Sequence, residues 1–335
     1  MTKQTLKYLA LSMACLGLTL SASMSIAQGR LTGPRGRVMS HTAPGTRQLA
    51  GISSGWQPHI PGTPTVIDFG TLDFPDASDS AAYTVNDLRQ YAGGYGPDLE
   101  VNFANSGFIL AENSFKIINY PGAVQTTAAA LNNTGEIVGI WQDTVGINHG
   151  FQLIKGTYSS IDYPGSLDTV VNGLSNSGEI VGVYDAPGSP GNGFMLVGGA
   201  YTTIDYPGAV FTYPDDVNAA GEIVGAWVDS SGNYHGFTWV SGVFATVDYP
   251  GSPYTFVFGI NDSAVLVGAY GDGNIFYDGF EHGFASQGGE FLSIDVPFVG
   301  AGATWTSGIN NSGRITGQYI DTAGRVYGYT ARIKP

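Results

Sequence analysis

The sequence predicts an all-β protein, a six-bladed β-propeller, on three observations. Only 12% of the 335 residues are charged, glycine numbers 50, and aromatic residues make up 12%. That composition suits short strands and tight turns better than surface helices. Three short phrases recur in fixed order, many of the copies 43 residues apart. Each recurrence also carries enough turn signals for four strands, the content of one propeller blade.

The first phrase is a hairpin: "NNTGEIVG" from Asn132, "SNSGEIVG" from Ser175, "NAAGEIVG" from Asn218, "NDSAVLVG" from Asn261 and "NNSGRITG" from Asn310. The second is "HGFQL" at His149, "NGFML" at Asn192, "HGFTW" at His235, "HGFAS" at His282 and "YGYTA" at Tyr327. The third is "FKIINYPG" at Phe115, "YSSIDYPG" at Tyr158, "YTTIDYPG" at Tyr201, "FATVDYPG" at Phe244 and "FLSIDVPF" at Phe291. A worn sixth copy precedes these, with "TVIDFG" at Thr65, "YTVNDLRQYAGGYG" at Tyr83 and "SGFIL" at Ser106.

Within one unit the elements follow in order. "DTVVNGLS" from Asp168 is rich in β-branched residues, the mark of a strand. "SNSG" turns it, with Asn opening the turn and Gly supplying a left-handed residue. "EIVGVY" from Glu179 is the second strand, "NGFMLVGG" the third and "YTTIDY" the fourth. Tyr-Pro-Gly then ends that strand, because Pro cannot continue a ladder.

The phase of the repeat separates a closed ring from its rival, a β-solenoid. The folded region opens on a copy of a fourth strand, "TVIDFG", and ends on a third strand, "YGYTARIKP". The last blade therefore lacks an outer strand and the N-terminal side has one to spare. Pairing the two closes the ring and leaves no open edge.

The phrases "GIN", "NSG", "IVG" and His-Gly-Phe resemble the HAF-type extracellular repeat family of bacterial secreted proteins. That family has His-Ala-Phe where this chain has His149-Gly150-Phe151, His235-Gly236-Phe237 and His282-Gly283-Phe284. The resemblance covers roughly residues 65 to 335. It implies an extracellular repeat protein and brings no activity with it.

Three regions are expected. Residues 1–27 read as a secretory signal peptide: Lys3 and Lys7, then an apolar stretch, then Ser25-Ile26-Ala27 as a small-residue cleavage site. Cys15, the one cysteine, lies inside it, so the mature chain has no disulfide. Residues 28–60 form a basic arm rich in Gly, Pro and Ser, expected to be disordered. Residues 61–335 form the propeller, with no transmembrane segment. Beyond residue 60 the chain carries 7 basic and 27 acidic residues, which excludes nucleic acid as a partner of the folded part.

Catalytic signatures are few. "GISSG" at Gly51 matches a nucleophile elbow in letters only, since it sits in the polar arm without a strand and helix around it. Asp143 and Asp229 precede His149 and His235 by six residues, a carboxylate–imidazole pairing that reads as turn bracing because it repeats. Asp162, Asp205, Asp248 and Asp295, with Asn119, are expected to accept hydrogen bonds from the backbone amides that follow them. Trp141, Tyr184, Trp227, Tyr270 and Tyr319 share one position and are expected to pack between blades.

Departures from the repeat carry the functional expectation. "YGPDLEVNFANSG" enlarges the first unit, "YGDGNIFYDGFEHG" the fifth and "DVPFVGAGATWTSG" the approach to the sixth. These units adjoin once the ring closes, and the loops fall on one face. The candidate ligand residues there are Tyr95, Asp98, Glu100, Phe276, Tyr277, Asp278, Glu281, His282 and Trp305. Aromatic faces beside acids suit carbohydrate. The expected function is non-catalytic recognition or scaffolding, with an extracellular polysaccharide or cell-envelope component as partner. The alternatives are a glycoside hydrolase or polysaccharide lyase using loop carboxylates, and a purely structural protein. No cofactor is expected apart from calcium, for which Asp168, Asp215 and Asp216 near the inner strands are the candidates.

Overall fold

Each repeat folds into one four-stranded antiparallel sheet, and the start of the chain completes the last of them. A computed structural model describes residues 64–96, 105–271 and 281–334, so the expected signal peptide and basic arm lie outside the described residues. Strand β1 is Thr65–Leu72. Blade one contains β2 (Asp79–Val85), β3 (Tyr91–Gly96), β4 (Ser106–Ala111) and β5 (Ser114–Ile118). Blade two contains β6 (Gln125–Leu131), β7 (Ile137–Gln142), β8 (Asn148–Ile154) and β9 (Thr157–Ile161). Blade three contains β10 (Asp168–Leu174), β11 (Ile180–Ala186), β12 (Ser189–Val197) and β13 (Ala200–Ile204). Blade four contains β14 (Phe211–Val217), β15 (Ile223–Val228), β16 (Tyr234–Val240) and β17 (Val243–Val247). Blade five contains β18 (Thr255–Ile260), β19 (Leu266–Gly271), β20 (Glu281–Gln287) and β21 (Glu290–Ile294). Blade six contains β22 (Ala301–Ile309), β23 (Arg314–Asp321) and β24 (Val326–Lys334).

The sixth sheet runs β22-β23-β24-β1, the closure that the phase of the repeat predicts. β1 pairs antiparallel with β24 from Thr65↔Lys334 to Leu72↔Gly328. Arg325 braces the segment after β1. Its Nη2 donates to Asp73 Oδ2 at 3.2 Å and to the Ala77 carbonyl at 3.1 Å, and its guanidinium lies 4.5 Å from the Tyr327 ring centre. The architecture is a six-bladed β-propeller. Among the described residues, no helix is long and apolar enough to cross a membrane.

The third phrase proves to be a joint between blades. Tyr163, Pro164, Gly165 and Ser166 make one tight turn: Ser166 N–H donates to the Tyr163 carbonyl at 3.1 Å and Gly165 has φ +80°. Pro at the second place and Gly at the left-handed third place are what a type II turn requires. The Tyr163 amide donates to Thr169 Oγ1 on the inner strand of the next blade at 2.9 Å. The same bond joins Tyr120 to Thr126, Tyr206 to Thr212 and Tyr249 to Thr255. The tyrosine rings meanwhile stack on the shared aromatic of that next blade, Tyr120 on Trp141, Tyr163 on Tyr184, Tyr206 on Trp227 and Tyr249 on Tyr270, with centroids 3.5 to 4.3 Å apart. Packing between blades is thus the role those aromatics fill. In blade six, Tyr319 has Phe298 as its partner, at 5.3 Å.

The hairpin phrase ties the blades together at the opposite face. Asn132 Oδ1 accepts from the amides of Thr134 and Glu136, closing its own turn. Its Nδ2 reaches the Ser175 carbonyl of blade three at 3.4 Å. Asn86, Asn218, Asn261 and Asn310 do the same to Asn132, Asn261, Asn310 and Asn86, at 2.9 to 3.3 Å. Ser175 has no such arm, and there Ser177 Oγ donates to the Ala219 carbonyl instead, at 3.2 Å. These carboxamides are 3–6% exposed, so a lost partner would leave a buried polar group unsatisfied.

Two glycines per blade permit close approach, one between strands of its own sheet and one toward the next blade. A Cβ on Gly139 would stand 2.0 Å from the Thr127 carbonyl oxygen and 2.9 Å from the Phe151 ring. A Cβ on Gly150, in His-Gly-Phe, would stand 2.4 Å from Val171 Cγ2 of the next blade and 2.9 Å from the Ile161 carbonyl. The middle position of His149-Gly150-Phe151 therefore has no room for a side chain. Gly150→Ala should therefore lower unfolding free energy by about 1–3 kcal/mol, as overpacking does. In a double-mutant cycle read by urea unfolding, Val171→Ala should recover part of that loss.

Candidate functional site

In blades two, four and five the repeated acids and imidazoles bond to one another. His149 Nδ1 meets Asp162 Oδ1 at 2.7 Å, His235 Nδ1 meets Asp248 Oδ2 at 3.0 Å, and His282 Nδ1 meets Asp295 Oδ1 at 2.8 Å. The expectation that these aspartates accept from the following amides is corrected here. The third strand places an imidazole within hydrogen-bond distance of Asp162, Asp248 and Asp295, and the amide after Asp162 and after Asp248 is taken by a threonine of the next blade. Asp205, whose blade has Asn192 at that position, accepts from the Gly193 amide at 3.2 Å. The turn acids Asp143 and Asp229 lie farther from the same histidines, at 3.7 Å, and serve their own turns. Asp229 Oδ1 accepts the amides of Ser231 and Asn233, both at 2.8 Å. Those donors, with the Asn233 side chain, pull Asp229 down to about 2.

The loop-face candidates divide in the structure. Asp98, Glu100, Phe276, Tyr277 and Asp278 lie outside the described residues. Tyr95 is a packing residue, stacked on Phe74 with centroids 3.7 Å apart, because it occupies the position of Trp141 in its blade. His282 is half-buried, stacked against Tyr270 and held by Asp295. Trp305, expected as an exposed platform, is 2% exposed and belongs to the core. On inner strand β22 it packs in the core cluster with Tyr254, Phe256, Phe258 and Ile320, so it cannot stack on a ligand at the surface.

The indole of Trp305 instead donates a hydrogen bond to Glu281. Glu281 is 3% exposed, its Oε1 lies 3.3 Å from the Tyr254 hydroxyl, and its Oε2 has no hydrogen-bond partner among the described residues. Burial pushes this carboxyl up to about 8, against the pull of the two donors.

The channel candidates divide as well. Asp168 opens β10 and accepts the Asn148 amide at 2.8 Å, while Asp215 and Asp216 are the fifth and sixth residues of β14. Four residues of strand are about 13 Å, so the three carboxylates do not form one cation cage. Asp216 is occupied by the amides of Val217 and Ile260, at 2.9 and 3.0 Å. Among the described residues no group of three or more His, Cys, Asp or Glu is arranged to hold a metal.

Sequence reasoning missed the ring that contains Asp215. Every inner strand has a β-bulge at the same depth, and a bulge re-aims one side chain. The bulged residues are Tyr83, Ala129, Asn172, Asp215, Phe258 and Ser307, each three places before the residue that opens the hairpin. All six line one cavity of about 50 Å³, with Thr127 and Ile140. The available signal was disagreement: six otherwise matching strands carry six different residues at this position.

No family model matches the chain, and no curated protein matches it. Solved structures do resemble it. A putative TolB from Agrobacterium tumefaciens aligns over 76% of this chain and 90% of its own, with TM-score 0.53 and 13% identity. The β-propeller domain of the Trilobed protease from Pyrococcus furiosus aligns over 77% and 83%, with TM-score 0.45 and 12% identity. The Aleuria aurantia lectin aligns over 79% and 97%, with TM-score 0.41 and 12% identity. At such identities the likeness concerns the fold alone.

Glu281 generates a pH prediction. Its carboxyl is raised from 4.5 unfolded to about 8 folded, so its share of stability is complete below about 4.5 and lost as pH rises toward 8. Glu281→Gln keeps the neutral shape without the titration. The melting temperature of the variant relative to the parent should therefore climb across that window, and parallel curves would contradict it.

Proposed function

We propose that the protein is an exported, non-catalytic recognition scaffold that binds a polysaccharide, extracellular or of the cell envelope, through the loops of blades five, six and one. The observation that carries this reading is how fully the repeated chemistry is engaged. Three histidines, four acids of the third phrase and the shared aromatics are all bonded or stacked in holding blades. A stiff ring of this kind offers binding through what differs between blades.

The ligand class follows from what the loops carry. The irregular segments carry aromatic rings and carboxylates, Phe276, Tyr277 and Asp278 in one, with His282 following them, and Asp98 and Glu100 in another. Rings that stack on sugar C–H faces, beside acids that bond hydroxyls, fit a neutral or amino glycan better than an anionic one. The excess of 27 acidic over 7 basic residues beyond residue 60 points the same way. Export rests on the leader-like first 27 residues and on the resemblance to secreted repeat proteins.

A hydrolase or lyase is the second reading, and one observation favours it. Glu281, raised to about 8, would be protonated near neutral pH as a general acid must be. Its donors are protein groups and its side chain is buried, so the carboxyl fits a structural role better.

A glycan array probed with the full chain should give binding that Tyr277→Ala and Asp98→Asn each weaken at least about tenfold, the scale of one lost buried contact. Ser231→Ala, in a turn of blade four, should leave it unchanged. No binding to any glycan, or equal binding by all three variants, would refute the proposal. Reducing-sugar release that Glu281→Gln abolishes would favour the enzyme.

A further inference from the structure

The channel ring presents two buried oxygens without protein partners in a single cavity. Among the described residues, Asp215, 6% exposed, has no hydrogen bond to its Oδ2, and Ser307, 7% exposed, has none to its Oγ. Buried polar groups are nearly always paired, and an unpaired carboxylate is the costliest kind. The blade bearing Asp215 does not need it, since the other five blades place a neutral residue at the same bulge. Asn172 lies on the neighbouring blade. Its Nδ2 donates to the Pro214 carbonyl at 3.0 Å, leaving the carboxamide oxygen to accept.

The wall also limits what could fit. The cavity of about 50 Å³ exceeds the 10–15 Å³ that one water requires, yet is far below the size of a sugar. No Lys, Arg or His lines it, so nothing in the wall offsets the carboxylate. Asp215 is also the only carboxylate in the lining, which is poor provision for calcium, whose sites gather six to eight oxygens. Tyr83 and Phe258 supply aromatic surface instead, which attracts cations at its faces.

We propose that the bulge ring is a binding site for a small primary ammonium ion, held by Asp215 Oδ2, Ser307 Oγ and the Asn172 carboxamide oxygen. Three acceptors from three blades answer the three N–H donors of such a group, and the rings of Tyr83 and Phe258 take its alkyl side. Burial, and Asp216 next to it, hold the Asp215 carboxyl well above the usual carboxylate range. A bound cation is the condition that favours its ionised form. This site is independent of the loop-face glycan reading and stands or falls separately.

The test is a thermal-shift and calorimetric titration of the full chain with methylammonium chloride, at ionic strength fixed with sodium chloride. Methylammonium should raise the melting temperature saturably. Tetramethylammonium, which has no N–H, and calcium should not. Asp215→Asn should fold with an equal or higher melting temperature and lose at least about tenfold in methylammonium affinity, the scale of a charge-assisted hydrogen bond. Ser307→Ala should weaken binding by a smaller factor, and it carries the test should Asp215→Asn fail to fold. The proposal is overturned by a flat methylammonium titration, by an equal response to tetramethylammonium or calcium, or by variants that bind as the parent does.

Discussion

The structure depends on how closely six inner strands can be brought around one axis. A propeller blade must lay its second strand hard against the first and its third against the next blade. At Gly139 and Gly150 there is no room for even a methyl group: a Cβ would fall 2.0 Å from a carbonyl oxygen in one case and 2.4 Å from a valine methyl in the other. Equivalent second-strand glycines in the other blades would bring a Cβ to 1.9–2.1 Å from the inner strand. Beside each lies the bulge that turns a residue from the sheet into the channel. The tight approach and the bulge are one local geometry, and it is repeated six times.

That geometry accounts for the division of labour along the chain. Residues that repeat serve the joints. The Tyr-Pro-Gly turn delivers an amide to the next blade's threonine and a ring to its aromatic, the hairpin asparagine delivers a carboxamide to the next carbonyl, and aspartate meets histidine within the blade. Each joint is modest, about 0.5–1.5 kcal/mol for a typical hydrogen bond, but a closed ring makes them mutually dependent. Closure itself comes from β1, which removes the last free edge. Variation is left to positions that no joint uses, the bulge ring and the irregular loops.

The strands, their order and the N-terminal closure were legible because their signals are local. Alternation, β-branched residues, Pro-Gly turns and the phase of a repeat all lie within a few residues of the element they define. What stayed hidden depends on a partner far along the chain. Nothing near Asp162 marks His149 as its partner, and nothing near Asn132 marks a carbonyl 43 residues away. Trp305 looked like a platform because its neighbours depart from the repeat, yet it sits on an inner strand and is buried. The bulge at Asp215 required the register of β14 against β15, which sequence alone does not carry. Of the loop-face candidates, five lie outside the described residues, and Glu281, expected in an irregular loop, is buried.

The central claim is that repeated positions hold the ring and bulge positions are free of that duty. Urea unfolding of two sets of single variants tests it most directly. Asn132→Ala, Thr169→Ala and Tyr206→Ala should each lose about 1–3 kcal/mol of unfolding free energy, as buried hydrogen bonds and ring stacks do. Ala129→Ser, Asp215→Ala and Ser307→Ala should stay within about 0.5 kcal/mol of the parent or exceed it. A reversed order, with the bulge set destabilised and the repeated set neutral, would contradict the account.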